Sequence, residues 1–254
     1  LALTDKSNLF AFIKFYEMSI NAGIKPIAGI ELQVESSVGG AKSEGRVILL
    51  AMNNSGYARL IELASLAYTE SPRREVLPED IVLSDCENLI VLSGGIKGHI
   101  WDVVQRNDLK TAITILKKWK EKLGNRYFLE LTRTGRMQEE DHVQELLKLG
   151  SKEDIALVAT NDVCFEDYND YEAHEARVCI NDGRTLDDPR RERFYSPEQY
   201  LKTPEQMAEL FQDVPTAISN SVEIAKRCNF RIKLDEYYLP HYPTPNGKSL
   251  DEYL

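Results

Sequence analysis

The sequence predicts an α/β fold, a seven-stranded β/α barrel. Three observations predict it. Short, nearly continuous apolar runs recur along the chain, as strands buried on both faces require. Amphipathic helical patterns fill the gaps between those runs, the signature of repeated βα units and a parallel sheet. Six such strands can be drawn, and a chain that opens on an apolar run with neither Met nor a polar leader is expected to be a fragment lacking a first strand, which would make seven.

The elements follow in order. Strands are expected over residues 1–4, 26–34, 47–52, 88–93, 127–131 and 156–160. The first of them, Leu1-Ala2-Leu3-Thr4, turns at Asp5 toward a helix over 8–22, whose apolar positions run from Leu9 through Phe12, Ile13 and Phe15 to Tyr16. Further helices are expected over 57–68, over 108–123 with Ile113, Leu116 and Trp119 on one stripe, and over 139–149. Two helix starts are spelled alike, Ser196-Pro197-Glu198-Gln199 and Thr203-Pro204-Glu205-Gln206, each with a hydroxyl cap, Pro at the first helical position and Gln closing a capping box. A last helix over 217–228 ends in Lys226-Arg227, cations suited to a helix C-terminus. After Cys228 the segment YYLPHYPTPNGKSLDEYL reads as a Pro-rich linker that restarts a helix at Ser249-Leu250-Asp251-Glu252.

Composition narrows the function. The chain has 254 residues, 43% hydrophobic and 28% charged, enough for one large core. Its net charge of -10 argues against binding a nucleic-acid backbone by itself, which needs a basic surface. Cys86, Cys164, Cys179 and Cys228 are scattered with no C-x-x-C pair, so a reducing cytoplasm fits better than a disulfide framework. No stretch reaches the roughly 18 apolar residues of a membrane span.

In barrels of this class chemistry gathers at the C-terminal ends of strands. The residues there are Asp5 and Lys6, Glu31, Gly94-Gly95, Glu130 and Arg133, and Asn161 and Asp162. Carboxylates at three of these points suit a hard cation. None of the four histidines (His99, His142, His174, His241) sits at such a strand end, so the nitrogen ligands of a zinc or manganese centre are missing. His174 reads as a packing residue on a helix, Cys164 as an inert thiol, and Gly94-Gly95 as a turn before it reads as a phosphate cradle. The Arg190 to Phe194 run after Asp187-Asp188 reads as a solvated mixed-charge loop.

Seven segments carry a resemblance in the right order: AGIKPIAGIEL (22–32), LLAMNNSGYARL (49–60), LIVLSGG (89–95), RYFLELTRTGR (126–136), ALVATNDVCF (156–165), YEAHEARVCINDG (171–183) and FYSPEQYLKTPEQM (194–207). The chain resembles the N-terminal PHP domain, polymerase and histidinol phosphatase type, of bacterial replicative DNA polymerase III alpha subunits. The resemblance implies a PHP domain over 1–230, N-terminally truncated, and a linker with the start of a polymerase palm over 231–254. It also implies a parent chain that is a DNA-directed DNA polymerase acting in replication, with Mg²⁺ held by palm aspartates outside this piece. The implied partners are the proofreading exonuclease subunit and other replicase subunits, with DNA bound through the parent chain and no membrane.

Metal-binding members of that family carry a histidine-rich set. Against it Asp5, Glu31 and Asp162 match, while the histidine positions read Lys6, Arg46, Thr134 and Cys164. The resemblance therefore implies a degenerate metal site, with no cofactor and no catalytic residue in this piece. Lys6 is expected to be the resident counter-ion, because clustered buried carboxylates need a fixed positive charge once the metal is gone. The rival expectation is a metal-dependent phosphatase or 3′-5′ exonuclease.

Overall fold

The computed structural model describes residues 1–38, 41–70, 75–234, 236, 243 and 249–253. β1 (Ala2–Leu3) leads through α1 (Phe12–Asn21) to β2 (Ile27–Val38), and lies parallel to it with Ala2 opposite Ile27. β3 (Ala41–Ala51) returns antiparallel, with Glu31 opposite Ile48. α2 (Asn54–Thr69) starts at Asn53, whose side chain accepts from the Gly56 amide at 3.0 Å. There follow β4 (Val76–Pro78), α3 (Glu79–Leu83), β5 (Leu89–Leu92), α4 (Trp101–Gln105), α5 (Leu109–Leu123), β6 (Tyr127–Thr132), α6 (Glu139–Glu153) and β7 (Ala156–Thr160). α7 (Tyr171–Asp182), α8 (Pro204–Leu210), α9 (Pro215–Arg227) and α10 (Leu250–Tyr253) complete the described elements.

The strands join in the order β1-β2-β3-β5-β6-β7, with β4 also on β2, and the sheet curls into a half-barrel. The seventh strand of this sheet is the short β4, a segment the apolar pattern does not mark. The expected all-parallel sheet is corrected at β3, which runs antiparallel to both β2 and β5. Only Gly39 and Gly40 separate β2 from β3 in sequence. A parallel crossover needs a dozen or more residues, whereas Gly-Gly between two strands is a hairpin signal.

Alternation of side chains across the pleat divides the core in two. Ile30, Leu32, Val47, Leu49, Val91 and Leu129 face the helices and join Leu60, Leu116 and Trp119 in the larger apolar cluster. Ile27, Ile48, Leu50, Ile90, Leu92, Phe128 and Val158 line the concave face, where Ile224 and Cys228 at the end of α9 pack on them. Asn220 of α9 donates its side-chain N–H to the Leu157 carbonyl at 2.8 Å, capping the outer edge of β7. The opposite edge of β2 is stitched in succession by β1, by the Ser7 amide donating to the Glu31 carbonyl, and by β4.

The second of the two helix starts forms as expected, Thr203 and Gln206 exchanging both capping-box hydrogen bonds at the head of α8. The first does not. Its carbonyls are taken elsewhere: Asn161 donates to Glu198 O and Tyr200 O, and the Cys164 amide donates to Gln199 O at 2.8 Å. Residues 196–200 therefore make a single turn, the Gln199 amide donating to Ser196 O at 3.3 Å and the Ser196 amide to Gln199 Oε1 at 3.0 Å, and are held as a strap beside the loop that follows β7. The expected linker over 231–254 falls largely on residues 235, 237–242, 244–248 and 254, which lie outside the described residues.

Candidate functional site

One end of the concave face is polar. The parity that places Ile27, Ile48, Phe128 and Val158 inside also places Glu31, Arg46, Glu130 and Asp162 there, above the apolar floor. Arg46, 4% exposed, is the hub. Its Nη1 lies 3.0 Å from Glu31 Oε2 and 2.8 Å from Asp162 Oδ1, and its Nε donates to the Gly94 carbonyl at 2.6 Å. Burial alone would lower the Arg46 pKa, but the Asp162, Glu130 and Glu31 carboxylates outweigh it and hold the guanidinium charged. Gly94 allows this approach: at φ +88°, its missing Cβ would lie 2.1 Å from the Arg46 carbonyl oxygen.

A second arginine extends the network. Arg136 Nη1 lies 2.8 Å from Asp162 Oδ2, and its Nη2 lies 3.1 Å from Glu139 Oε1 at the head of α6. Glu139 also accepts from the Thr132 hydroxyl at 2.7 Å and the Thr134 hydroxyl at 3.0 Å. Burial pushes the Asp162 pKa up, and Arg46 and Arg136 together bring it below the usual carboxylate range. Glu130 responds the other way. Burial dominates there and raises its pKa, with Thr160 Oγ1 donating to one carboxyl oxygen at 2.6 Å.

The sequence-predicted positions separate into two groups. Glu31, Arg46 and Asp162 meet in one ion-paired cluster. Thr134 is fully buried but turns to Glu139. Cys164 lies beside Asp162, its thiol pushed up to about 11, mainly by burial and then by Asp162. Asp5 lies at the sheet edge, its backbone carbonyl accepting from the Glu31 amide at 3.0 Å and its carboxyl pKa raised by burial.

Lys6 requires a correction. Its ammonium pairs with Glu75 Oε2 at 2.9 Å, and its side chain is 57% exposed. The backbone of Lys6 bridges Glu31, so its side chain leaves the concave face and reaches solvent beside β4. The counter-ion role belongs to Arg46. Lys6→Ala is accordingly expected to change stability by no more than about 0.5 kcal/mol, the range of an exposed ion pair. Denaturant unfolding of wild type and variant checks this, and a loss above about 2 kcal/mol would return Lys6 to the buried network.

Sequence reasoning missed Arg136, Glu139 and Gln199. Arg136 and Glu139 stand at i and i+3 across the start of α6, a spacing that signals a local ion pair but not its extension to Asp162. Gln199 is fully buried and donates its side-chain N–H to Asp162 O at 3.0 Å and Oδ2 at 3.2 Å. Arg133, at a strand end, is structural instead: it pairs with Asp213 at 2.6 Å and Glu140 at 3.2 Å, tying β6 to the turn before α9. The Arg190 to Phe194 run is only partly solvated, since Arg191 forms a buried pair with Glu175 at 2.5 Å.

A family profile described as PHP domain matches residues 1–134. The chain belongs to the PHP domain family. Over its whole length it is similar to DNA polymerase III subunit alpha of Pseudomonas aeruginosa, at 45% identity over 259 residues, and of Escherichia coli K12, at 43% over 256 residues. The corresponding subunit of Vibrio cholerae is 40% identical over 256 residues. In each case all of this chain is covered, and it spans 22% of the relative's length.

The donor set of this PHP domain does not fit the metal centre that the family implies. Glu31 and Asp162 already hold a permanent cation, Arg46, at 3.0 and 2.8 Å. The Thr134 hydroxyl donates to Glu139, and the Cys164 sulfur is a neutral thiol at physiological pH. A metal ion here would have to displace a guanidinium held by two carboxylates and a carbonyl.

Proposed function

We propose that this chain is the PHP domain of a bacterial replicative DNA polymerase alpha subunit, and that its ion-paired pocket braces the fold where related domains hold metal. One observation carries the second part: the Arg46 guanidinium sits within 3.0 Å of both Glu31 and Asp162. The whole-length similarity to DNA polymerase III alpha subunits supports the first part. On this reading the full-length protein extends DNA in replication as a DNA-directed DNA polymerase, with Mg²⁺ held outside this domain. The domain itself supports the polymerase and offers a surface to the proofreading exonuclease subunit and other replicase subunits. DNA is bound through the rest of the chain, since the domain carries a net charge of -10. Among the described residues no helix is long and apolar enough to cross a membrane, which agrees with a cytoplasmic replicase.

Metal analysis of the full-length protein tests the pocket. Zinc and manganese are expected well below one equivalent, with primer extension dependent on Mg²⁺ and no phosphate or nucleotide released by this domain. Stoichiometric zinc or manganese, lost together with a phosphoesterase activity in Asp162→Asn, would establish the metal-dependent phosphoesterase instead. Co-elution of the full-length chain with purified exonuclease subunit tests the docking role. Independent elution of the two at micromolar concentrations would remove it.

A further inference from the structure

The segment between β7 and α8 is attached to the body in an unusual way. Among the described residues no side chain between Thr160 and Gln206 belongs to either apolar cluster. The segment has a small core of its own: the His174 ring lies 4.5 Å from Tyr195 and 5.4 Å from Phe165, centroid to centroid. Tyr171 donates its hydroxyl to Tyr195 O at 3.3 Å, and Arg191 pairs with the buried Glu175 at 2.5 Å. Its contacts with the body are polar and cluster at the ion-paired pocket. Ser196 donates its hydroxyl to the Thr134 carbonyl, and Lys97 Nζ lies 5.2 Å from the Tyr195 ring centroid. Gln199 and Asn161 tie the strap to the end of β7.

We propose that residues 163–201 form a flap that opens as one cooperative unit between Asp162 and Lys202-Thr203, alternately covering and uncovering the Arg46–Asp162 pocket. Elements that open locally are those with few buried apolar contacts to the rest of the fold, and this segment has its own apolar contacts instead. Its first hinge is already in a disfavoured conformation. Asp162 has φ +46°, a region in which a non-glycine residue persists only when its surroundings hold it. Here the holding groups are Arg46 and Arg136 on its carboxylate and Gln199 on its carbonyl. The second hinge is followed by the capping box of Thr203, so the motion stops at α8.

Closed, the flap places the Tyr195 ring and the buried Gln199 amide over the pocket. Lys97 marks the rim. Its pKa is lowered by burial, with Asp162 opposing that shift and Arg46 and Arg136 adding to it. The device is independent of whether the pocket ever held a metal.

Hydrogen exchange of the full-length protein, read by mass spectrometry at peptide resolution, tests the flap. Amides across 163–201, including Cys164 and Leu201, are expected to exchange through one shared opening that is faster than exchange in β5 and β6. Gln199→Ala is expected to speed all of them by about tenfold, the loss of one net hydrogen bond, while β5 and β6 stay unchanged. Acceleration confined to residues 196–201 would overturn the proposal, because the segment would then not open as one unit. Wild-type exchange in increasing sub-denaturing urea keeps the test decisive if the variant fails to fold. A flap isotherm distinct from that of β6 supports the proposal, and coincident isotherms at every urea concentration overturn it.

Discussion

Arg46→Ala is expected to lower the unfolding free energy by about 3–5 kcal/mol, among the largest effects of any single change in this domain. The removed guanidinium takes from Glu31 and Asp162 the cation they share, leaving Asp162 to Arg136 alone and Glu130 buried beside them. Uncompensated buried charge costs more than the pair it came from. Arg46→Lys should recover part of the loss, because it restores the charge but neither the bifurcated contact nor the bond to Gly94. The pH dependence identifies the cause. The folded pKa of Asp162 lies below its ordinary 3.8, so its contribution is fully present above that value and is lost as pH falls through the folded pKa. Arg46→Ala removes the Arg46 share of that depression and leaves the Arg136 share, so the gap between wild type and variant should be widest near neutrality and shrink as Asp162 protonates. Chemical denaturation at pH 7 and at about pH 3, below the unfolded carboxyl value, measures it, and a gap that does not change with pH would assign the loss to packing.

Gly94→Ala is expected to cost about 3 kcal/mol or more, joining left-handed strain to a forced displacement of β3. The added methyl would sit 2.1 Å from the Arg46 carbonyl oxygen and 2.7 Å from Arg46 Cγ. Backbone cannot retreat as a side-chain tip can, so β3 must move and the pocket with it. Gly95→Ala is the control. Its Cβ meets nothing nearer than Thr132 Cγ2 at 3.4 Å, so only the φ of +59° opposes it, at about 1–2 kcal/mol. Thermal unfolding of the two variants should separate them by several degrees, given roughly 2–4 °C per kcal/mol for a domain of this size. Equal melting temperatures would mean that the close approach at Gly94 relaxes without cost.

Much of the fold was legible because apolar runs and helical stripes carry period information over several residues. The runs around Ile30, Leu49, Ile90, Leu129 and Val158 are all strands, and Trp119 and Leu116 do face the sheet. β4 was not legible: three residues, Val76 to Pro78, are too few to show alternation, and Pro is a poor strand signal. The direction of β3 was legible in Gly39-Gly40, a signal that the count of βα units obscured. At the site, carboxylates at strand ends were readable from position alone, as Glu31 and Asp162 show. Choosing between Lys6 and Arg46 as the counter-ion was not, because it turns on the pleat. Arg46 shares the parity of Ile48 and points inward, whereas Lys6 follows a two-residue strand at the sheet edge and turns out. Gln199 reaches Asp162 from 37 residues away, a contact that no local pattern encodes.

The floor of the half-barrel has a consequence for biosynthesis. Its inner lining comes from strands that are all translated by Thr160, but it is covered by Ile224 and Cys228, about 70 residues later. At 5–20 residues per second the ribosome needs roughly 4 to 14 s to make that stretch. For that time Ile48, Leu50, Ile90, Leu92 and Phe128 form an uncovered apolar trough on a nascent chain. The arginine-paired end of the trough can assemble by then up to Asp162, so the emerging sheet is anchored at its polar end while its apolar end is open to chaperones.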